Sequence, residues 1–445
     1  MNVLFVSLGC DKNLVDSEVM LGLLEKRGYQ MTDDETQADI IVVNTCCFIH
    51  DAKEESIQTI LEMAELRKNG NCLALIVTGC LAERYREEIT EEIEEVDAVL
   101  GTATYDKIVE AIDEALAGKK YLEFQDTDRL PLPEVKRIVT TGGHYAHLKI
   151  AEGCNKHCTY CIIPKIRGNF RSVPMEHLLA EAQQLADQGV KELILVAQET
   201  TLYGIDLYGK KSLHVLLREL CKIKGIRWIR VLYCYPEEIY DELIETIRDE
   251  KKICHYLDLP IQHASDRILK RMGRRTSKEQ LIGIIEKLRK EIPDIILRTT
   301  LISGFPGETQ EDHEELMEFV DTMEFDRLGV FTYSREEDTP AALMDEQIDE
   351  EVKEDRRAEL MELQQEISFE KNDQMEGKTL TVMVEGYLSD ENVYVARTYG
   401  DAPGIDGYLF IETGETLVSG DFAKVRVTGA LEYDLVGVLE HEFTE

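Results

Sequence analysis

Three cysteines fall within eight residues in the stretch Cys154-Asn-Lys-His-Cys158-Thr-Tyr-Cys161. Thiolates that close together can wrap one small inorganic centre from a single loop, here placed directly after the strand-like run HLKIAEG. A closed cubane takes four thiolates, so three leave one iron open to a ligand. The alternative is a structural zinc site completed by His157 or by a distant residue. Zinc spacing usually pairs two cysteines and resumes a dozen or more residues later, and no such second pair follows. The spacing therefore points to an iron–sulfur centre with an open coordination position.

A second constellation is spread over the first ~120 residues, where buried-strand runs alternate with amphipathic stretches. Cys10 ends VLFVSLG, Cys46 ends IIVVNT and Cys80 ends ALIVTG. In a parallel sheet, strand carboxyl ends share one edge where loops converge and ligands bind. Free cysteine is often simply buried, which accounts for Cys72, Cys221, Cys234 and Cys254 but poorly for three equivalent strand ends. Cys47 adjoins Cys46, yet NTC matches the other two ends better than TCC does. A second cluster held by Cys10, Cys46 and Cys80 is expected.

The same alternation predicts an α/β multidomain chain. NVLFVSLGC, ADIIVVNTC, CLALIVTGC and VDAVLGT read as strands of a flavodoxin-like, doubly wound parallel sheet over residues 1–120. Helical patterns cover VDSEVMLGLLEKRGY and residues 52–68, 82–94 and 104–117. A connector with two prolines, DTDRLPLPEVKR, lies within 121–139. From 140 to 372 six strand candidates alternate with helices (HLKIAEG, ELILVAQ, WIRVLYCYP, YLDLPIQ, ILRTTLISG and RLGVFTYS), a partial (β/α)6 barrel with its chemistry at the strand carboxyl ends. Residues 345–376 read as an acidic, helix-favouring linker. Short glycine-punctuated runs over 375–443 predict a small antiparallel β-barrel.

Eleven cysteines in a chain with no signal-peptide pattern imply a reducing, cytoplasmic setting in which clustered thiols serve metals rather than disulfides. No stretch approaches the ~18 apolar residues of a spanning helix. The formal charge of −38 repels bare nucleic acid and attracts basic partners, although solubility alone accounts for it equally well.

The C-x₃-C-x₂-C spacing on a β/α barrel resembles the radical S-adenosylmethionine superfamily. Both cysteine triads together with the β-rich end resemble the methylthiotransferase family along essentially the whole chain. SLGCDKNLVDSE, HLKIAEGCNKHCTYCIIPKIRG and LVAQETTLYGIDLYGK look like its protein-modifying branch, whereas tRNA-modifying branches read closer to GCQMN or GCKVN. Glu199 stands where the family more often has Asp, and RSV at 171–173 replaces RSR. The resemblance implies an N-terminal methylthiotransferase domain, a radical S-adenosylmethionine core and a C-terminal TRAM domain. It implies two [4Fe-4S] clusters, a radical-generating one on Cys154, Cys158 and Cys161 and an auxiliary one on Cys10, Cys46 and Cys80. It also implies S-adenosyl-L-methionine, an electron donor, and a methylthio group placed on the β-carbon of an aspartate in small-subunit ribosomal protein twelve. Both open irons must then face one cavity.

Gln198 and Glu199, just past a strand end, are candidate contacts to the ribose or amino group of S-adenosylmethionine, and Gly304 in Gly304-Phe-Pro-Gly307-Glu308 is a candidate for close backbone approach. Such a Gly-Pro turn is nearly as often a plain loop device. Arg167, Arg171 and Arg298 are suited to pairing with a carboxylate, with a surface role as the default. Trp228 and His263 are read as packing residues. Residues 376–445 carry 14 acidic and four basic residues, net −10, too few cations for a module that neutralises phosphates. A basic ribosomal protein, free or in the small subunit, fits better than direct nucleic-acid binding. The competing readings are a tRNA adenosine methylthiotransferase and a non-catalytic zinc scaffold.

Overall fold

The computed structural model describes residues 1–442. The end of the expected last domain, residue 443, lies outside the described residues. The first sheet is built from β1 (Asn2–Ser7), β2 (Gln30–Thr32), β3 (Ile40–Thr45), β4 (Ala74–Gly79), β5 (Ala98–Leu100) and β6 (Tyr121–Glu123). It is all-parallel with the order β2-β1-β3-β4-β5-β6, the flavodoxin-like winding. Every residue of β3 and β4 is buried, as expected for central strands covered on both faces. The two edge strands were not legible in the sequence. They are three residues long and largely half-buried or exposed, so they carry no apolar run. The segment read as a connector from residue 121 therefore begins inside this sheet.

The second sheet holds β7 (Tyr145–Lys149), β10 (Glu192–Val196), β11 (Trp228–Val231), β12 (Ile253–Asp258), β13 (Ile296–Ser303) and β14 (Arg327–Thr332), in the order β14-β13-β12-β11-β10-β7. All its pairings are parallel, giving the six-stranded open barrel. A two-residue hairpin pairing, β8 (Ala151–Glu152) with β9 (Arg171–Ser172), frames the loop carrying Cys154, Cys158 and Cys161. The stretch read as a helix-favouring linker is a helix, Glu350–Asp373, but it is docked on the barrel rather than free. Leu360 and Ile367 join the barrel core, and Gln364 Nε2 donates to the Phe325 carbonyl at 2.9 Å. Its many acidic residues hid that apolar face.

The last unit is a closed barrel of β15 (Thr379–Leu388), β16 (Val393–Thr398), β17 (Leu409–Glu412), β18 (Phe422–Ala430) and β19 (Leu435–Leu439). Four of its five pairings are antiparallel, as expected of the small antiparallel barrel, and the remaining one, β17 with β19, is parallel. Between β16 and β17 the chain enters the larger barrel, where Ala402 is buried against Ile194, Val196, Cys254 and Tyr256. Among the described residues no helix is long and apolar enough to cross a membrane.

Candidate iron–sulfur and cofactor site

The three strand-end cysteines of the first sheet are drawn together by Asn13, which is fully buried on the helix Asp11–Arg27. Asn13 Nδ2 donates to the Leu8 carbonyl (3.1 Å) after β1 and to the Thr45 carbonyl (2.8 Å) at the end of β3. Its Oδ1 lies 3.7 Å from Cys80 Sγ after β4. Gly9 has φ +89°, and a Cβ there would sit 2.6 Å from Cys46 Cβ and 2.9 Å from its Sγ, so glycine lets the Cys10 loop close on Cys46. Ser56 pins Cys46, accepting from its N–H (3.0 Å) and donating to its carbonyl (2.8 Å). Cys47 is fully buried in the apolar core beneath, and burial pushes its thiol up to about 12.

Cys154, Cys158 and Cys161 share one loop past β7. Burial raises the thiol pKa of Cys154 to about 11, and burial with the neighbouring Cys158 raises that of Cys161 further. Burial likewise raises Cys46 and Cys80. These thiols thus resist ionising until a cation replaces their protons, so metal loading releases acid. All eleven cysteines are free. Among the described residues no three His, Cys, Asp or Glu side chains converge on a point suited to a single ion. A cubane asks instead for sulfurs arrayed around a volume, each on its own iron.

Two routes join the triads. Cys161 is followed by the short helix Ile163–Arg167, and Arg167 Nη2 lies 3.4 Å from Cys80 Sγ. Arg167 is buried and pairs with Asp16 (2.8 Å) and Glu152 (3.2 Å), so the surface default is wrong here. Lys149 completes this closed cluster, bonding Asp16 and, at 2.8 Å, Glu152. The second route is the segment after β11. Tyr233 donates its hydroxyl to Asp11 Oδ2 (3.2 Å) beside Cys10, while the Tyr235 hydroxyl lies 3.8 Å from Cys158 Sγ.

The remaining candidates separate. Gln198 Nε2 donates to Glu152 Oε1 (2.7 Å), leaving its Oε1 unpartnered. Glu199 accepts from the Thr201 N–H (3.0 Å), and burial raises its carboxyl pKa to about 7. Its Oε2 has no hydrogen-bond donor, with Lys156 Nζ at 3.9 Å. Glu237 Oε2 and Gln262 Oε1 are also buried without partners. These four oxygens all follow strand carboxyl ends, the expected edge for a polar ligand. Gly304 has a different reason for being glycine. At φ +68°, its Cβ would lie 2.2 Å from Lys353 Cγ, so it admits the docked Glu350–Asp373 helix. Glu308 serves that helix too, pairing with Arg356 at 3.0 Å. Arg171 donates to the carbonyls of Arg167 and Asn169, both at 2.8 Å. Arg298 pairs with Asp258 (2.8 Å) and Asp406 (3.3 Å). Trp228 packs edge-on against Phe422 of the small barrel at 4.9 Å, and His263 accepts from the Ser265 N–H at 2.9 Å. Sequence reasoning missed Lys12, Asn13, Asp16 and Tyr233, whose partners lie far along the chain.

Comparison with known proteins fits this geometry. Residues 2–101 match the uncharacterized protein family UPF0004, residues 148–320 the radical SAM superfamily and residues 377–439 the TRAM domain. A protein of Lachnoclostridium phytofermentans described as ribosomal protein uS12 methylthiotransferase RimO is 65% identical over 440 residues, covering 99% of this chain and 100% of its own. The chain belongs to the RimO family of methylthiotransferases. RimO proteins of Clostridium botulinum and Clostridium perfringens are each 54% identical, over 100% and 98% of this chain and 99% and 98% of theirs. The fold is also that of the radical S-adenosylmethionine methyltransferase TsrM from Kitasatospora setae (TM-score 0.57, 14% identity, 77% of each chain covered). The RimO-type motif SLGCDKNLVDSE thus sits at the junction of the first sheet and the barrel.

Proposed function

We propose that this chain transfers a methylthio group to the β-carbon of an aspartate in ribosomal protein uS12, using S-adenosylmethionine and two [4Fe-4S] clusters. Cys154, Cys158 and Cys161 would hold the radical-generating cluster, and Cys10, Cys46 and Cys80 the auxiliary one. The observation that carries this reading is the meeting of the two triads across Arg167 and across Tyr233–Tyr235, within a RimO-family chain. When bound, the clusters and S-adenosylmethionine supply one-electron hydrogen abstraction and a site for sulfur delivery. The chain's own residues bind and orient. The unpartnered oxygens of Gln198, Glu199, Glu237 and Gln262 suit the amino and hydroxyl groups of S-adenosylmethionine. Asn13 and Ser56 fix the auxiliary loops, and burial of Cys46, Cys80, Cys154 and Cys158 limits water at the reacting carbon.

The small barrel supports a protein substrate over tRNA. Of its four basic residues, Arg397 is fully buried between Glu192 (2.8 Å) and Glu385 (2.8 Å), so even fewer cations reach a phosphate than the sequence offers. Homologues acting on a ribosomal protein also support a cytoplasmic setting. The test is mass spectrometry after incubating anaerobically reconstituted enzyme, reductant and S-adenosylmethionine with uS12 or with tRNA. A methylthio mass gain is expected on one aspartate of uS12. Gain only on a tRNA adenosine would overturn the proposal.

A further inference from the structure

Three lysines are buried among the described residues: Lys12, Lys149 and Lys353. Lys149 bonds Asp16 and Glu152, and Lys353 pairs with Glu350 at 2.6 Å. Lys12, 6% exposed, forms no ion pair with any carboxylate of the described residues. Its ammonium lies over the Tyr233 ring, 3.4 Å from the centroid. The adjacent Asp11 attracts the ammonium through space but is itself engaged, accepting from Tyr233 Oη (3.2 Å) and facing His147 Nε2 (3.6 Å). The Tyr233 ring and, at longer range, the Asp11 carboxylate attract the ammonium, but no carboxylate of the described residues lies within ion-pair distance of it. Lys12 is also placed where the two triads meet, two residues beyond Cys10 and against the segment whose Tyr235 reaches Cys158.

We propose that Lys12 is a carboxylate subsite: it receives the side-chain carboxylate of the substrate residue and so fixes which carbon faces the two clusters. The inference rests on the substrate reading above and deepens it. In an aspartate the reacting β-carbon is bonded directly to the carboxylate carbon. A cation held rigidly at the junction of the two triads therefore positions that carbon between them. Tyr233 keeps the ammonium in place before substrate arrives, so little ordering is left to be done on binding. The site selects for acid over amide because an uncharged isostere would leave the buried cation without a carboxylate in direct contact.

The rival role is neutralising the auxiliary cluster's charge, and one experiment separates the two. Reconstituted wild-type enzyme and Lys12→Met, which keeps the length but removes the charge, are assayed with uS12 and with uS12 whose target aspartate is asparagine. Iron content and the cluster electron paramagnetic resonance spectrum are recorded for both enzymes. Wild type is expected to favour the aspartate form by about 100-fold in kcat/KM. Lys12→Met should lose that preference while keeping wild-type iron and spectrum. If the variant turns over neither form, the ratio of equilibrium binding constants for the two substrates gives the same comparison. An unchanged acid-to-amide ratio in Lys12→Met overturns the proposal, as does an altered cluster spectrum accompanied by a preserved ratio. Failure of the wild-type enzyme to modify the aspartate form removes the substrate reading itself, and the subsite with it.

Discussion

Two buried, charged interfaces hold the barrel, and they are built to different ends. Towards the small barrel, Glu192 bridges Arg230 and Arg397, Arg298 bridges Asp258 and Asp406, and Arg327 bonds Asp401 at 2.6 Å. These charges close on each other around the inserted Ala402, with every carboxylate met and Arg230 Nη2 left unpartnered. Towards the first sheet, the Asp16–Lys149–Glu152–Arg167 cluster is also closed, but around it stand free cysteines, a Lys12 with no carboxylate in contact and the unpartnered oxygens of Gln198 and Glu199. A polar interface whose acceptors are all met fixes domains; one with acceptors left over is where ligands are expected.

Substituting cysteines should break the symmetry between the interfaces most strongly. Cys158→Ala is expected to abolish S-adenosylmethionine cleavage. Cys46→Ala should lose the iron of one cluster and stop sulfur transfer while cleavage persists, and Cys47→Ala should do neither. Iron analysis and separate assays of cleavage and transfer check this; iron loss in Cys47→Ala but not in Cys46→Ala would reverse the assignment.

Stability comes next. Glu192→Ala leaves Arg230 and Arg397 buried without their shared carboxylate, a loss of roughly 3–5 kcal/mol in unfolding free energy. Arg167→Leu should destabilise less, because Lys149 still serves both Asp16 and Glu152. It should instead impair retention of the auxiliary iron through lost contact with Cys80. Denaturant unfolding and iron counting, run on both variants, give opposite orders if the two interfaces differ as described.

A pH series sharpens the contrast further. Burial lifts the Glu199 carboxyl from 4.5 to about 7 in the folded protein. The folded state then holds this proton more tightly than the unfolded chain, so its contribution is most favourable below pH 4.5. It is lost as pH rises towards 7, by on the order of 3 kcal/mol. Glu199→Gln in the metal-free protein should remove that slope, raising Tm relative to wild type increasingly between pH 5 and 8. Parallel Tm profiles would contradict it. The smallest effect is expected at Gly304→Ala, where strain against Lys353 at positive φ should cost about 1–3 kcal/mol without altering the iron content.

Legibility followed distance along the chain. The Cys154–Cys161 loop was readable because its thiols are covalently close. The strand-end cysteines were readable because parallel strands put equivalent positions on one edge, an argument from periodicity alone. Gly304 was visible as a turn, but its close neighbour, Lys353, belongs to a helix whose acidic sequence resembled a linker. The edge strands β2 and β6 escaped because short, half-exposed strands carry no apolar signature.

The sequence by itself determined the three folding units, the two cysteine triads and the methylthiotransferase resemblance, since each is written in local spacing or in a repeating apolar pattern. Only the tertiary structure decided that Arg167 meets Asn13 across 154 residues, that Asn13 gathers the three cysteine-bearing loops, and that Lys12 lies against Tyr233 with no carboxylate of the described residues in direct contact. Whether a buried charge is satisfied depends on which distant side chains share its low-dielectric surroundings, and periodicity carries no record of that.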